Sequence, residues 1–112
     1  VVLRIRHGTV RILIAGDLQS DGEARLLASG ADLTAHVLKV AHQGSSDSTS
    51  EEFLRRVRPS LALIAAGRHN SYGHPSPETL ERLERAGAEV FRTDRDGDLS
   101  LESDGAGVSL SP

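Results

Sequence analysis

The chain has 112 residues, 38% hydrophobic and 26% charged, which suits one globular domain or part of one and not a disordered segment. A net charge of −3 gives no bulk attraction to nucleic acid, and the lack of cysteine excludes disulfides and thiolate metal sites. No apolar run approaches the ~18 residues of a transmembrane helix, no signal-peptide pattern is present, and the opening Val1-Val2-Leu3 reads as cut from something longer.

Leu3 and Ile5 alternate with Arg4 and Arg6, His7-Gly8 follows, and Val10, Ile12 and Ile14 alternate again, which predicts an antiparallel hairpin. The second strand, Val10–Ala15, runs into Gly16-Asp17. Ser20 and Glu23 have the spacing of a capping box at the start of a helix. Ala24, Leu26 and Leu27 form its apolar face, and Gly30 stops it. Val37–Ala41 is apolar on both sides apart from Lys39, as an interior parallel strand is. It ends abruptly at His42-Gln43-Gly44-Ser45-Ser46. Thr49 and Glu52 have the spacing of a second capping box, Phe53, Leu54 and Val57 mark a buried helical face, and Pro59 ends that helix.

Leu61–Ala66 is a third strand. It leads into the long polar stretch Gly67-Arg68-His69-Asn70-Ser71-Tyr72-Gly73-His74-Pro75, and polar loops of this length are often functional. Ser76 caps the next helix with Pro77 at its first position, Leu80, Leu83 and Ala86 face the core, and Gly87 ends it. Glu89–Thr93 is a fourth strand and Asp94-Arg95-Asp96-Gly97 a turn. Leu99 and Leu101 alternate in a fifth strand, and Val108 and Leu110 in a final edge strand.

From Val10 onward the order is βαβαβαβ, which implies parallel strands with right-handed crossovers. Loops leaving the C-terminal ends of such strands share one edge of the sheet, where ligands bind. Those loops carry Asp17, His42, His69, His74 and Asp94. Aspartate and neutral histidine suit zinc, manganese or iron. Asp17 and His42 each stand at a strand end, and Ser45 and Ser46 offer donors to an anionic substrate oxygen. His7 and His36 read as surface residues.

Leu13-Ile14-Ala15-Gly16-Asp17-Leu18, Val37 through Ser46, Arg68 through Pro75, and Thr93-Asp94-Arg95-Asp96-Gly97 together resemble the C-terminal part of the metallo-β-lactamase-like domain of ComEC/Rec2 proteins, the membrane channels of bacterial DNA uptake. The resemblance runs from the first hairpin to about Leu101. Asn70-Ser71-Tyr72-Gly73-His74-Pro75 and the later Thr-Asp-Arg-X-Gly are its most specific parts. It implies an α/β fold, half of an αββα sandwich, with a mixed sheet and an N-terminal hairpin. It also implies a two-metal site of zinc or manganese with Asp17 and His42 as ligands, Asp17, His42 and His74 as catalytic residues, and Ser45, Ser46, Asn70 and Tyr72 on the substrate.

The implied activity is a nuclease acting on the DNA strand that is not taken up, in a soluble domain of an integral membrane protein. Two features depart from the family. Gln43 stands where a second histidine is usual, and the His-X-(His/Asp)-X-Asp-His cluster of the superfamily lies upstream of this chain. The chain is therefore expected to need the preceding half of its domain, or a second copy of itself, against its sheet, and to be inactive alone. A non-catalytic binding or scaffolding module and a small-molecule hydrolase of the same fold are the alternatives.

Overall fold

The computed structural model describes residues 2–16, 18–44, 48–66 and 75–111, with the side chains of His42 and Gln43 outside the description. Five strands lie side by side in sequence order: β1 (Leu3–His7), β2 (Val10–Ile14), β3 (Val37–Lys39), β4 (Leu61–Ile64) and β5 (Glu89–Arg92). β1 pairs antiparallel with β2, and every later pair is parallel. Helices α1 (Ser20–Ala28), α2 (Glu51–Val57) and α3 (Pro77–Arg85) occupy the three crossovers, and a short α4 (Thr93–Asp96) follows β5. β6 (Ser100–Ser103) and β7 (Val108–Ser111) form a separate antiparallel ribbon, so the expected last strands do not join the main sheet. The protein is α/β with a mixed sheet, an architecture compatible with half of a two-sheet sandwich.

Each parallel strand is one or two residues shorter than its apolar run. Ala15 and Val40 still donate to neighbouring strands, at 3.2 Å to Lys39 and 2.9 Å to Leu63, but Ala41–Gly44 has already turned into a single 3₁₀ turn. Asp94–Asp96 belongs to α4 rather than to an open turn.

Helix starts follow local chemistry, though not always the expected residues. Ser76 caps α3 as its spacing implies, accepting from the Thr79 N–H at 3.2 Å. The other two caps differ. Ser50, not Thr49, caps α2 and accepts from the Phe53 N–H at 3.2 Å. Thr49 is left-handed (φ 59°), which turns the chain just before the helix and removes its hydroxyl from the capping position. At α1 the N-cap is Gln19, with no side-chain cap; Glu23 points away from its own helix terminus and is buried.

Across the sheet Leu13, Leu38, Ala62 and Val90 stand in register. With Val40 and Ile64 they pack against Phe53, Leu54, Val57 and Leu83 in a single apolar core on the helix side. All three crossover helices contribute to that core, as sequential parallel strands with one crossover hand require. Ala24 and Ala86 are exposed, because α1 and α3 reach the core through Leu26, Leu27, Leu80 and Leu83 instead.

The opposite face is largely apolar, with Lys39 in its middle. Leu3 aligns with Ile14 and Ile5 with Ile12; Ile12 continues through Val37 and Leu61 to Glu89, and Ile14 through Lys39 and Leu63 to Phe91. Ile12, Ile14, Leu61, Leu63 and Phe91 are only half-buried, and Leu3 and Ile5 are 53% and 44% exposed. The β6–β7 ribbon covers one end of this face. Its turn docks on the β1–β2 turn through Thr9 N–H to the Gly105 carbonyl at 2.8 Å. Clefts of about 290 and 220 Å³ border the ribbon beside Phe91 and Val10. No side chain of the ribbon itself is fully buried.

The two faces should therefore respond differently to mutation. Leu83→Ala, which opens a cavity in the finished core, should cost about 2–5 kcal/mol. Ile5→Thr on the open face should change stability by no more than about 0.5 kcal/mol. Urea unfolding of the two variants checks the contrast, and equal losses would contradict it.

Candidate functional site

The parallel register sets the C-terminal ends of β2 to β5 along one edge. Ile14, Lys39 and Leu63 align, as do Ile64 and Arg92. Gly16 and Leu18 leave β2, the Ala41–Gly44 turn leaves β3, Ala65 and Ala66 leave β4, and α4 leaves β5. The backbone thus brings the exits of four sequence-distant segments to one rim. Of the residues expected to carry chemistry there, Asp17, Ser45, Ser46, His69, Asn70, Tyr72 and His74 lie outside the described residues, as does the side chain of His42. Among the described residues no group of three or more histidine, aspartate or glutamate side chains could hold a metal ion.

Three contacts organise the bases of these loops. First, Gly44 (φ +81°) packs against Pro75, where an added Cβ would meet the proline Cβ at 2.5 Å. The Ser76 N–H donates to the Gly44 carbonyl at 2.9 Å. The glycine of the His42 turn therefore serves a loop-to-loop contact: it joins that turn to the end of the Gly67–Pro75 stretch. Second, the Thr93 hydroxyl accepts from the Ala66 N–H at 2.8 Å and donates to the Ala66 carbonyl at 2.9 Å, fixing the point where the same stretch departs from β4.

Third, the buried Glu23 carboxylate accepts from the Thr49 N–H and, at 3.0 Å, from the Ser50 N–H. Arg82 of α3 approaches the same segment, donating to the Thr49 carbonyl at 2.9 Å and the Ser48 carbonyl at 3.0 Å. Residues 48–50 are thereby held between α1 and α3. A negative group beside the first N–H groups of α2 also suits the helix dipole.

Asp94 is the one expected rim residue whose side chain is described. Arg92 grips it in a two-pronged contact of 3.0 and 2.8 Å. That hydrogen bond to Arg92 holds its carboxyl below the ordinary aspartate range. Asp94 is thus a fastening between β5 and α4. His36 and His7 are exposed, as expected, and both have structural partners. His36 Nδ1 accepts from the Arg11 N–H at 3.1 Å, and His7 Nδ1 lies 2.8 Å from the Ser103 hydroxyl. Glu23, which spacing assigned to a capping box, Arg82 and Thr93 are positioning residues whose roles sequence reasoning missed. Thr93 alone carried a signal, as the first residue of the specific Thr-Asp-Arg-X-Gly stretch.

Two substitutions measure how firmly the loop bases are held. Gly44→Ala combines a disfavoured left-handed backbone with the Pro75 collision and should cost about 1–3 kcal/mol. Glu23→Ala leaves two N–H groups unpaired in a buried place and should cost about 2–4 kcal/mol, with Glu23→Gln falling between it and the wild type because one acceptor remains. Chemical denaturation checks both, and an unchanged Glu23→Ala midpoint would mean that the carboxylate does not brace the loop.

No protein-family model matches the chain. It is 38% identical over 99 residues to ComE operon protein 3 of Bacillus subtilis (strain 168), covering 88% of this chain and 13% of that protein. It is 36% identical over 108 residues to competence protein ComA of Neisseria gonorrhoeae, covering 96% of this chain and 16% of that protein. It is 36% identical over 103 residues to recombination protein 2 of Haemophilus influenzae, covering 89% of this chain and 12% of that protein. The chain thus spans 12% to 16% of the length of these relatives. Identity at this level over nearly all of its residues places it: the chain belongs, as one segment, to the ComEC/Rec2 family of competence proteins.

Proposed function

We propose that this chain is the C-terminal part of a metallo-β-lactamase-like domain in a membrane-embedded bacterial DNA-uptake protein. In this reading the complete domain is a metal-dependent nuclease acting on the strand that is not taken up. The observation that carries the reading is the identity of 36% and 38%, over most of the chain, to proteins named for competence. Parallel strands ending on one edge agree with it. Among the described residues no helix is long and apolar enough to cross a membrane, so any spanning segments would belong to other parts of the protein.

The donor chemistry of Asp17 and His42, one carboxylate and one imidazole, fits zinc or manganese. These two residues would hold the metal, with most of its coordination supplied by groups outside this chain. A metal there supplies Lewis acidity toward a phosphate oxygen and a water acidic enough to attack near neutral pH. His74 is the candidate for proton transfer to the leaving oxygen. Ser45, Ser46, Asn70 and Tyr72 have the hydroxyl and amide donors to orient a phosphodiester. The Gly44–Pro75 contact, the Thr93 clasp and the Glu23–Arg82 brace keep the bases of the loops bearing these residues in fixed relation. Gln43, an amide where a ligating histidine is usual, favours a second reading, a binding or scaffolding module without catalysis.

Cleavage assays separate the two readings. Joined to the preceding half of its domain, the chain should cut linear DNA with manganese or zinc and lose the activity in Asp17→Ala and His42→Ala. Inactivity of that intact domain with every divalent metal would support the scaffolding module instead. Alone, the chain should neither cut DNA nor bind zinc tightly by calorimetry.

The open sheet face bears on the same reading. Covering apolar surface is worth roughly 25 cal/mol per Å², so the partly exposed row from Leu3 to Phe91 should recruit a cover. In the whole protein that cover would be the preceding half of the domain. The isolated chain should pair face to face with a second copy or be poorly soluble. Light scattering tests this, and a stable monomer that ignores hydrophobic dyes would argue against the half-sandwich.

A further inference from the structure

On the helix side of the sheet, away from the open apolar face, a cleft of about 380 Å³ lies between α2 and α3. Arg55, Arg58, Arg82 and Arg85 line it with Glu51, and Leu54 contributes apolar surface. Among the described residues Glu51 is the single carboxylate of the lining, and it serves two arginines, Arg85 at 3.0 Å and Arg55 at 3.6 Å. Arg82 is turned to the backbone of residues 48–49. Arg58, exposed and left-handed (φ 52°) just past the end of α2, has no ion pair among the described residues. Arg55, Arg58 and Arg85 thus set three guanidiniums against one carboxylate.

That local excess of positive charge sits in a chain whose net charge is −3. Stability does not account for it. Exposed ion pairs contribute little, and gathering like charges costs energy. Arg55 and Arg85 are 74% and 59% exposed at their side chains, so their donors remain open to a ligand. Guanidinium forks match the paired oxygens of a phosphate. Glu52, Glu78, Glu81 and Glu84 lie on the same two helices but outside the lining, which confines the attraction to the cleft. Among the described residues two charges are uncompensated, and a concave cleft of this size can be followed by a few phosphates of one flexible strand, whereas a rigid, convex duplex would touch only its outer arginines.

We infer that the α2–α3 cleft binds the phosphodiester backbone of a single nucleic-acid strand. It is a second site, formed on the helix layer and separate from the rim of strand ends. The nature of the strand rests on the DNA-uptake reading; the anion chemistry does not.

The test is fluorescence anisotropy of the 112-residue chain with a short single-stranded oligonucleotide, in chelator so that no metal site takes part. Wild-type affinity should fall as salt rises, with a slope of about −1.4 for two phosphate contacts at ~0.7 each. Arg58→Gln with Arg85→Gln should weaken binding about tenfold and flatten that slope. Arg6→Gln with Arg25→Gln removes the same charge elsewhere and should stay within about twofold. Inorganic phosphate should compete better than chloride at equal ionic strength, and a duplex should compete worse than the single strand. Circular dichroism confirms that the variants remain folded. Equal weakening by both double variants, no binding at low salt, or preference for the duplex would overturn the inference. Because no metal is present, failure here leaves the nuclease reading standing, and an inactive rim leaves the cleft standing.

Discussion

The arrangement depends most on one buried carboxylate. Glu23 belongs to α1, yet its acceptors serve the N–H groups of Thr49 and Ser50, which open α2. From the other side Arg82 of α3 takes the carbonyls of Ser48 and Thr49. Donors and acceptors of one short segment are thus satisfied by two different helices. A buried backbone turn left to itself would carry unpaired polar groups, each costing on the order of 1–3 kcal/mol. The brace removes most of that cost, although the Thr49 hydroxyl has no partner among the described residues. It also links all three crossover helices beside the rim. The residual strain is local: a β-branched residue in a left-handed conformation is held there by groups on both flanks.

The sheet shows a different constraint. Its helix face is completed by side chains from this chain, and its other face is not. Alternation along β2, β3 and β4 places apolar residues on both sides, a pattern that belongs to a strand covered twice. Among the described residues only the β6–β7 ribbon approaches the second side, and it fastens mainly at the Gly8–Thr9 turn, where backbones meet closely. The row Leu3, Ile14, Lys39, Leu63 and Phe91, apolar but for the lysine, is left half-covered. Half-covered apolar residues on this face are compatible with half of a two-sheet sandwich, which buries such residues against a second layer.

Periodicity made the framework legible. The hairpin, the three helices and the parallel order follow from repeats of two and of three to four residues, and the core residues Phe53, Leu54, Val57 and Leu83 stood out for that reason. Spacing rules failed where a side chain had a better partner far away. Ser20 and Glu23, and Thr49 and Glu52, have capping-box spacing, but spacing cannot register that Glu23 meets the backbone of residues 49 and 50 instead. Asp94 read as a rim residue because topology set it at a strand end; Arg92, the last residue of β5, claims its carboxylate. Asp17 and the loop histidines were singled out by residue type, by their place after strand ends and by the family resemblance, and Asp17, His69, His74 and the His42 side chain lie outside the described residues.

The brace and the arginine cleft share a residue, which connects the two candidate sites physically. Arg82 forms part of the cleft wall and also grips Ser48 and Thr49, the residues that follow the Ser45-Ser46 stretch. Arg85, one turn on, reaches Glu51 at the start of α2. A strand held by Arg58 and Arg85 would therefore press on the same α2–α3 contact that secures the segment leading away from the rim. The link from the cleft to residues 48–50 is one Arg82 side chain held by two backbone carbonyls.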